Sequence, residues 1–412
     1  MKFVIILPDG ASDEPLPQLG GKTPLEAAHI PNMDAIARDG RLGRIVTIPE
    51  GFDAGTDAGT LTLMGYDPRL YHTGRAPMEA LARQLAAAPD QLIFRCNFVH
   101  VMDGIMTDFT AGHIEQADAD ALIAALNQAS FPGESCSFHA GVSYRNLLLV
   151  SNASTLKLRT QPPHDITDQP VAGYGPRGEG QERVQAIMDR AAEVLADHPV
   201  NRRRRERGER WATDAWLWGQ GTPMRLETLE SRFGLKGATI TAVDILRGIS
   251  VGMGMDLIEV PGATGYIDTD YDAKGRAAVA ALDRYDVVAV HIEAPDEAAH
   301  QGMAEEKKIS LERIDEAIVG PLLHKLRGLG DYRIVIAPDH ATLVRTKGHD
   351  ATPPPFCYAG TGVGPGSRRP FSEREAAATG VFLDPGCTLL DEVLGRRIRI
   401  NAPPASTIPT ST

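Results

Sequence analysis

The sequence predicts an α/β protein whose core is a doubly wound, mostly parallel sheet, with a smaller α+β domain inserted into it. Two observations support this fold class. Apolar runs recur with few polar interruptions, as in strands buried on both faces of a sheet. Segments with apolar residues at helical spacing lie between several of those runs. The strand-like runs read FVIIL near the start, and GATITAV, YDVVAVHIEA and YRIVIAPDH in the second half of the chain.

The first predicted strand lies in the opening stretch MKFVIILPDG. Its apolar residues run from Phe3 to Leu7, and the carboxylate of Asp9 follows almost at once. Functional residues of open α/β sheets collect where the parallel strands end. Asp9-Gly10 is also a common turn pair, however, and taken alone this position indicates only a turn.

Helices are predicted on either side of the later strands. In TPLEAAHIPNMDAIARDG, Thr23 is a candidate N-cap for one short helix and Asn32 for a second, which is expected to stop at Gly40. The stretch EEKKISLERIDEAIVGPLLHKLRGLG has apolar residues at helical spacing and separates the last two strand-like runs. Strand, helix and strand in this order are typical of a parallel sheet.

The middle of the chain has a different character and predicts the inserted domain. It contains shorter strand-like pieces (LIFRCNFVHV, YRNLLLV), a helix candidate (ADADALIAALN) and Pro/Gly-rich joints. We place the core in residues 1–74 and 211–400 and the inserted domain in residues 75–210. The basic run NRRRRERGER is interpreted as a solvated joint between the two. The Pro/Ser/Thr-rich tail, 401–412, is predicted to be disordered.

Composition excludes several classes of partner. The chain has 412 residues, 42% of them hydrophobic, and a net charge of -12, which disfavours nucleic acid or an anionic membrane as the main partner. No apolar run approaches the length of a membrane span. The four cysteines lie far apart without a CxxC spacing, as suits reduced thiols in the cytoplasm. A cytoplasmic protein without a membrane or nucleic-acid partner is expected.

Carboxylates and imidazoles follow the predicted strands of the core. Asp296 and His300 follow one strand at a four-residue spacing, which places them on one side of a helical turn. Because parallel strands end at one edge of a sheet, the whole set is expected to converge, and its ligand types suit borderline divalent cations. Any one of these residues alone is better explained as a cap. The set comprises Asp9, Asp296, His300, Asp339, His340 and His349.

A Gly-rich stretch, EGFDAGTDAGTLTLMGYDP, supplies a candidate nucleophile. It precedes a helical segment, so its backbone N–H groups are expected to face an anion. Thr56 has a hydroxyl that a metal held by Asp9 and the Asp339/His340 pair would make reactive. A second metal, held by Asp296, His300 and His349, would then bind the phosphoryl oxygens. Without those ligands, an ordinary helix N-cap is the preferred interpretation of Thr56.

Twelve motifs together resemble a known family. The sequence is similar to the archaeal-type, cofactor-independent phosphoglycerate mutases and the related proposed homoserine kinases, both of the alkaline phosphatase superfamily. The resemblance covers nearly the whole chain except the tail. It rests on PDG, LGGKTPLEAAHIPNMD, GTDAGTLTLMGYDP, YHTGRAPMEA, FRCNFV, AGHI, GVSYRN, PPHDI, WLWGQG, VPGATGYIDTDY, HIEAPDEAAHQG and PDHAT.

The resemblance implies an alkaline-phosphatase-like core with a lid domain that closes over the substrate. It implies two divalent metals, with Mn²⁺ or Zn²⁺ preferred over Co²⁺ or Mg²⁺. It also implies a phosphoenzyme on Thr56 and interconversion of 3-phosphoglycerate and 2-phosphoglycerate. Side chains implied to bind phosphate and carboxylate are Arg75, Arg95, Arg145 and Lys236, and those implied to orient substrate or move protons are His113, His164 and Asp165.

The sequence departs from the family pattern around the nucleophile. Family members usually carry serine in a Ser-Asp-Val-Ala-Asn segment, where this chain has Thr56-Asp57-Ala58-Gly59-Thr60. The segment after His340 differs as well. These changes favour two rivals, a homoserine-type kinase and a phosphatase or phosphodiesterase. A non-catalytic binder of phosphorylated metabolites is a further alternative. A nicotinamide oxidoreductase is disfavoured because no GxGxxG follows the first strand.

Overall fold

The computed structural model describes residues 1–395. The predicted disorder of residues 401–412 lies outside this range. The strands within it, in chain order, are β1 (Lys2–Pro8), β2 (Arg41–Ile45), β3 (Leu92–Met102), β4 (Ile105–Asp108), β5 (Cys136–Val142), β6 (Arg145–Val150), β7 (Lys157–Arg159), β8 (Arg177–Glu179), β9 (Asp214–Gly221), β10 (Gly237–Ile240), β11 (Asp256–Leu257), β12 (Val287–Ile292), β13 (Tyr332–Ile336), β14 (Ala341–Leu343), β15 (Gly348–Asp350), β16 (Pro355–Gly360) and β17 (Phe382–Leu383).

The α-helices of the same range lie between these strands. They are α1 (Pro24–Ala27), α2 (Pro31–Asp39), α3 (Thr56–Leu63), α4 (Pro68–Tyr71), α5 (Arg75–Ala82), α6 (Gln116–Gln128), α7 (Gln181–Ala196), α8 (Pro199–Glu206), α9 (Leu229–Phe233), α10 (Asp244–Gly252), α11 (Tyr271–Ala281), α12 (Ala294–His300), α13 (Ala304–Ile314), α14 (Gly320–Leu329), α15 (Glu373–Ala378) and α16 (Leu389–Leu394). A π-helical segment, Asp315–Val319, joins α13 to α14. None of the helices within residues 1–395 combines the length and apolarity that crossing a membrane requires.

Residue contacts divide the chain into two compact units. Unit 1 comprises residues 1–72 together with the chain from Arg225 onward, and unit 2 comprises Thr73–Met224. Unit 2 therefore extends beyond residue 210, where its end was predicted. The reason is that β9 pairs with β3, the central strand of unit 2, over positions Ile93 to Val99.

Unit 1 contains an eight-stranded sheet in the order β11-β10-β12-β1-β13-β16-β2-β17. The five strands from β11 to β13 run parallel, and β16 is antiparallel to both its neighbours. Side chains on both faces of β1 are buried, because Val4 and Ile6 pack into one apolar cluster while Ile5 and Leu7 are covered on the other side. The predicted α/β class with a mostly parallel sheet is confirmed.

Side-chain capping explains where α1 begins but not where α2 begins. The hydroxyl of Thr23 accepts a hydrogen bond from the N–H of Glu26, whose carboxylate accepts one from the N–H of Thr23. The N-cap predicted at this threonine is therefore present, as part of a capping box. The prediction for Asn32 was wrong, because α2 begins one residue earlier at Pro31. The side chain of Asn32 instead donates to the buried carboxylate of Asp315.

Unit 2 is built on an antiparallel sheet with β3 at its centre, flanked by β6 and β9. Helices α6 and α7 pack on it, and Phe94, Phe98 and Leu122 belong to its apolar core. The basic run beginning at Asn201 lies within this unit, where it forms most of α8. Its interpretation as a joint was wrong, because it lies inside the unit and the buried Arg204 donates to the backbone carbonyls of Ala111 and Arg210. Most of its other charged side chains are exposed, as predicted.

Candidate active site

Three neighbouring strands bring acidic residues to one edge of the unit 1 sheet. Strand β1 lies between β12 and β13 and is parallel to both, with Pro8 opposite Ile292 and Ile6 opposite Ile336. All three strands consequently end at the same edge. Asp9, Asp296 and Asp339 follow them within a few residues, and each of these side chains is almost completely buried.

The glycine after Asp9 is required by the crowding at this edge. Gly10 has a φ of +57°, and a Cβ placed there would lie 2.5 Å from Thr342 Oγ1 and 2.6 Å from Asp296 Oδ1. Its N–H donates to Asp339 Oδ1 at 3.2 Å. The Asp-Gly pair is thus a turn, as its local sequence indicates, and the turn also closes the site.

A first ligand group consists of Asp9, Asp339 and His340, and its ligand atoms all lie within 4.8 Å of one another. His340 Nε2 is 3.3 Å from Asp9 Oδ1 and 3.5 Å from Asp339 Oδ2. The hydroxyl of Thr56 approaches two of these residues, at 3.4 Å from Asp9 Oδ2 and 3.3 Å from His340 Nε2. The predicted nucleophile is therefore next to the predicted ligands.

A second ligand group consists of Asp296, His300 and His349. Asp296 and His300 both lie on α12, where the four-residue spacing brings His300 Nε2 to 3.1 Å from Asp296 Oδ2. His349 Nε2 is 3.5 Å from Asp296 Oδ1 and 3.0 Å from His300 Nε2. The rings of His340 and His349 have centroids 4.2 Å apart, so the two groups are adjacent.

Hydrogen bonds orient all three imidazoles. His300 Nδ1 lies 2.9 Å from the carbonyl oxygen of Lys347, and His349 Nδ1 lies 3.1 Å from that of Ala54. Because a carbonyl oxygen only accepts, Nδ1 carries a proton in both rings, which leaves Nε2, on the side of Asp296, as the ligand atom once a cation displaces any proton there. His340 Nδ1 is 3.1 Å from the hydroxyl of Thr342. Such outer contacts are typical of histidines that bind metals through Nε2.

Burial and mutual repulsion dominate the electrostatics. Burial, followed by the charges of Asp339, Glu293 and Asp296, raises the pKa of Asp9 well above its usual range. Burial also opposes ionisation of Asp296, but hydrogen bonds from His300, His349 and Thr342 hold its pKa well below its usual range. Within residues 1–395, Asp9 Oδ1 and Asp339 Oδ2 are buried without a hydrogen-bond partner. A cation bound between these buried carboxylates would relieve their mutual repulsion and stabilise their ionised forms.

Helix α3 places Thr56 at the first group. Thr56 is the first residue of the helix, and Gly55 occupies the N-cap position, so the alternative of Thr56 as an N-cap does not describe this helix. Gly59 allows the helix to approach closely, because a Cβ there would lie 2.3 Å from the carbonyl oxygen of Asp339. The threonine is thus held against the end of β13 by packing of the backbone.

Lys236 is not brought to this site. It directly precedes β10, whose first residue, Gly237, lies opposite Val287 at the start of β12. Lys236 is consequently exposed at the opposite edge of the sheet from Asp9. Its implied role in binding phosphate or carboxylate at this site fails because the lysine comes before its strand, whereas the residues of the site follow theirs.

Several side chains near the site were missed. His291 Nε2 lies 2.9 Å from Asp9 Oδ2, and Glu293 completes a third group with these two residues. His291 is next to the last residue of β12, and Glu293 directly follows the strand. Their position at a strand end in HIEAPDEAAH could have identified both as site residues. Burial lowers the pKa of Lys274 to about 8, and its Nζ donates to the carbonyl oxygens of Thr264 and His291. Its helical surroundings gave no such signal.

Unit 2 gathers cationic side chains around Trp218. The guanidinium of Arg95 lies 4.1 Å from the Trp218 ring centroid and forms an ion pair with the buried Glu79. Burial lowers the pKa of Arg95, and the charges of Arg75 and Arg145 act in the same direction against the opposing effect of Glu79. These three arginines, which were predicted as members of one anion-binding set, therefore influence one another electrostatically.

The predicted histidines of unit 2 lie along an aromatic strip next to these arginines. The His164 ring packs on Trp218 and Phe109, with centroids 5.3 and 6.0 Å apart. His113 packs on Tyr144, which in turn contacts Phe109. The exposed carboxylate of Asp165 lies 3.5 Å from His164 Nε2. Burial, together with the charges of Arg95 and Arg75, lowers the pKa of His164 despite Asp165.

Comparison with known proteins shows which family has this architecture. Residues 37–201 match the family model described as 2,3-bisphosphoglycerate-independent phosphoglycerate mutase. A protein of that name from Methanothrix thermoacetophila is 45% identical over 391 residues, covering 95% of this chain and 98% of the relative. A second, from Methanothermobacter thermautotrophicus, is 47% identical over 365 residues, covering 88% and 90%.

Solved structures agree with the sequence relatives. A protein from Pyrococcus horikoshii superposes with a TM-score of 0.78 at 28% identity, covering 97% of this chain and 99% of the other. A cofactor-independent phosphoglycerate mutase from Thermoplasma acidophilum superposes with a TM-score of 0.67 at 25% identity, covering 96% and 99%. The chain belongs to the 2,3-bisphosphoglycerate-independent phosphoglycerate mutase family.

Proposed function

We propose that this protein interconverts 3-phosphoglycerate and 2-phosphoglycerate by metal-dependent phosphoryl transfer through Thr56. One observation carries the proposal. The Thr56 hydroxyl lies 3.4 Å from Asp9 Oδ2 and 3.3 Å from His340 Nε2, within the first of two adjacent ligand groups. Relatives at 45% and 47% identity bear the mutase name, which supports this reaction over other phosphoryl transfers.

Two divalent cations fit the residues of unit 1. The first group offers two carboxylate oxygens without hydrogen-bond partners inside the described range, and the second offers imidazole lone pairs fixed by contacts at Nδ1. Mixed nitrogen and oxygen ligands suit Mn²⁺ or Zn²⁺, and Co²⁺ or Mg²⁺ accept parts of the set. Asp9, Asp339, His340 and Thr56 would hold one ion, and Asp296, His300 and His349 the other. Bound cations would supply charge neutralisation at the phosphoryl oxygens and lower the pKa of the hydroxyl.

The chain itself supplies the nucleophile. In the first transfer, Thr56 Oγ1 loses its proton and bonds to phosphorus while the bond from phosphorus to the substrate oxygen breaks, and the released glycerate oxygen takes a proton. In the second, the other glycerate hydroxyl loses a proton and attacks phosphorus, the Oγ1–P bond breaks, and Thr56 Oγ1 regains its proton. Asp9 Oδ2, which accepts the hydrogen bond from Thr56 Oγ1, orients that hydroxyl and its proton before the first step. No proton is gained or lost over the complete reaction.

Unit 2 is proposed to bind the anionic groups of the substrate. Arg75, Arg95 and Arg145 together form a strongly positive environment, and guanidinium groups suit bidentate contacts with carboxylate and phosphate. His164 has a lowered pKa, so its ring is neutral near pH 7 and is able to accept a proton from a glycerate hydroxyl. Asp165 and His113 are proposed to orient substrate along the same strip.

The proposal is tested by combining an activity assay with mass spectrometry. With Mn²⁺ and 3-phosphoglycerate, an enolase-coupled assay is expected to report formation of 2-phosphoglycerate, and intact-mass analysis to show a phosphate adduct on Thr56. Thr56→Ala should lose both signals, and Thr56→Ser should keep both. Thr62→Ala is the matched control, because Thr62 is a buried threonine of the same helix that lies outside the ligand groups.

Three outcomes would contradict the proposed reaction. Turnover of nitrophenyl phosphate or a diester without formation of 2-phosphoglycerate would assign a hydrolase. Transfer of phosphate from ATP to homoserine would assign a kinase. Binding of phosphoglycerates without any metal-dependent turnover would assign a non-catalytic binder.

A further inference from the structure

A cavity lies in unit 1 near the starts of β2 and β13, whereas the ligand groups lie beyond the ends of β1, β12 and β13. Its volume is about 630 Å³, within the usual range for sites that bind small molecules. Arg333, near the start of β13, lines this cavity, whereas Asp339 follows the end of the same strand. At ~3.3 Å per residue, the two positions are separated by roughly 15–20 Å. The cavity, which we name the arginine pocket, is distinct from the proposed active site.

The arginine pocket carries excess positive charge. Its charged lining side chains are three arginines and one glutamate. Arg41 pairs with that glutamate, Glu392, at 2.5 Å, and Arg369 pairs with Glu375 at 2.7 Å. Arg333 donates only to backbone carbonyls in the described chain, those of Thr361, Glu392 and Val393. Its charge is therefore not neutralised by a carboxylate within residues 1–395.

Residues 362–365 of a glycine-rich loop, 360–366, form one wall of the pocket, and close packing explains the glycines at its two ends. A Cβ on Gly360 would lie 2.1 Å from the carbonyl oxygen of Tyr332, and one on Gly366 would lie 2.0 Å from that of Arg38. Gly364 differs, because its φ is not positive and a Cβ there would meet no atom within 4 Å. Open space at the pocket therefore surrounds Gly364.

The same loop presents donors for an anion. Within residues 1–395, the backbone N–H groups of Gly362 and Gly364 donate to no protein acceptor. Backbone N–H groups in such a loop, next to a guanidinium without a carboxylate partner, match the requirements of a phosphate group. Leu42, Val363 and Val381 contribute apolar surface to the remaining wall. A phosphate monoester with an uncharged organic group matches both the hydrogen-bond donors and the apolar wall of the pocket.

We propose that the arginine pocket binds a small phosphate monoester at a site separate from the phosphoryl-transfer centre. The phosphate would contact Arg333 and the N–H groups of the glycine loop, and the organic body would lie against the apolar wall. Two classes of metabolite carry a phosphate monoester on an uncharged group, namely nucleoside monophosphates and sugar phosphates. AMP and glucose 6-phosphate serve as the respective probes.

Equilibrium dialysis of the metal-loaded protein with each labelled probe tests this site, and the Gly364 variants separate binding here from binding at the proposed active site. Gly364→Glu places a carboxylate in open space at the pocket, and Gly364→Ala is the matched neutral control. We expect saturable binding of one probe by wild type and Gly364→Ala, and at least about tenfold weaker binding by Gly364→Glu. The probe that binds identifies the source of the phosphate.

A second variant addresses Arg333 itself. Arg333→Met should weaken binding of the same probe by about tenfold or more, since the phosphate loses its main cation. Arg333 also donates to carbonyl oxygens near the end of α16, so Arg333→Met could destabilise the fold. If Arg333→Met unfolds, the comparison of Gly364→Glu with Gly364→Ala still decides the question. Absence of saturable binding by wild type would overturn the proposal, as would equal binding by Gly364→Glu and Gly364→Ala. Metal-dependent activity should be unchanged in both Gly364 variants, so failure here is distinguishable from failure of the proposed reaction.

Discussion

Thr342 and Asp296 are joined by a buried hydrogen bond of 2.5 Å from the threonine hydroxyl to Asp296 Oδ1. The same hydroxyl lies 3.1 Å from His340 Nδ1. Asp296 belongs to the second ligand group and His340 to the first, so one side chain contacts both. Thr342 is itself held in place by the buried Lys307, whose Nζ donates to the Thr342 carbonyl oxygen.

Replacing Thr342 should weaken metal binding. Loss of an outer contact to metal ligands typically costs about 10–100-fold in affinity, so Thr342→Val is expected to bind Mn²⁺ more weakly at both groups. Thr342→Ser keeps the hydroxyl and should behave like wild type. Calorimetric titration of the metal-free protein with Mn²⁺ measures stoichiometry and affinity directly. Identical titrations for Thr342→Val and wild type would show that the threonine only fills space.

Gly59→Ala should disturb the nucleophile helix. The added methyl would lie 2.3 Å from the carbonyl oxygen of Asp339, so α3 or the end of β13 must move. Overpacking of this kind costs about 1–3 kcal/mol of unfolding free energy. Gly328→Ala is the matched control, because Gly328 is also a helical glycine and its Cβ would meet no atom within 4 Å. Urea unfolding of both variants tests the difference, and equal stabilities would refute the close approach.

Two buried lysines should respond differently to substitution. Lys307 forms a buried ion pair with Asp13 at 2.9 Å, so Lys307→Met leaves a buried carboxylate unpaired and should cost roughly 3–5 kcal/mol. Among residues 1–395, Lys274 donates only to carbonyl oxygens, at 3.3 and 3.5 Å. Lys274→Met removes a desolvated charge and should change the unfolding free energy by less than about 1 kcal/mol. Thermal melts compare the two variants. A large loss in Lys274→Met would mean that its cation stabilises the fold.

Acid sensitivity of unit 2 should depend partly on His100. Burial lowers the pKa of His100 below 6.5, although its hydrogen bond to the Trp211 carbonyl raises it. Above pH 6.5 the ring is neutral in both folded and unfolded chains. As the pH falls through this value the unfolded chain takes up a proton first, so stability is progressively lost until the folded ring also titrates.

His100→Asn supplies a control, because its amide is able to donate to the same carbonyl without titrating. The melting temperature of wild type is expected to fall more between pH 7 and pH 5 than that of His100→Asn. Differential scanning calorimetry across this range measures the slopes. Parallel slopes would show that the charge on His100 does not contribute.

Arg145→Met should affect substrate binding more than folding. Arg145 is exposed, packs near Tyr144 and lies close enough to Arg95 to lower its pKa. Loss of a guanidinium that contacts a substrate anion is expected to raise KM by about tenfold or more, with a smaller change in kcat. Arg159→Met, an exposed arginine on β7, is the control. An unchanged KM in Arg145→Met would remove this residue from the substrate site.

Local sequence predicted the strands well where burial on both faces left a clear pattern. The apolar stretches of β1, β12 and β13 were recognised because a strand covered on both sides has few polar positions. Thr23 was recognised as a cap because a capping box depends only on residues three positions apart. Asn32 was misassigned because its partner, Asp315, lies far along the chain.

The candidate site was predicted in part, namely those residues that directly follow parallel strands. Carboxylates and imidazoles that follow parallel strands were expected at one edge, and the structure places them there in two groups. Lys236 was misplaced because resemblance does not say at which end of a strand a residue lies. His291, Lys274 and Thr342 were missed because their relation to the site depends on how helices and loops pack across the sheet.

By itself, the sequence determined the fold class, the strands of the parallel core and the types of side chain at their ends, because these follow from short-range burial patterns. Only the tertiary structure decided which further groups surround Asp9, how hydrogen bonds orient the imidazoles, and where the arginine pocket forms. These features depend on strand order and on contacts between segments hundreds of residues apart, such as Asp9 with His291. Such contacts are set by packing of the whole unit and leave no periodic signal in the sequence.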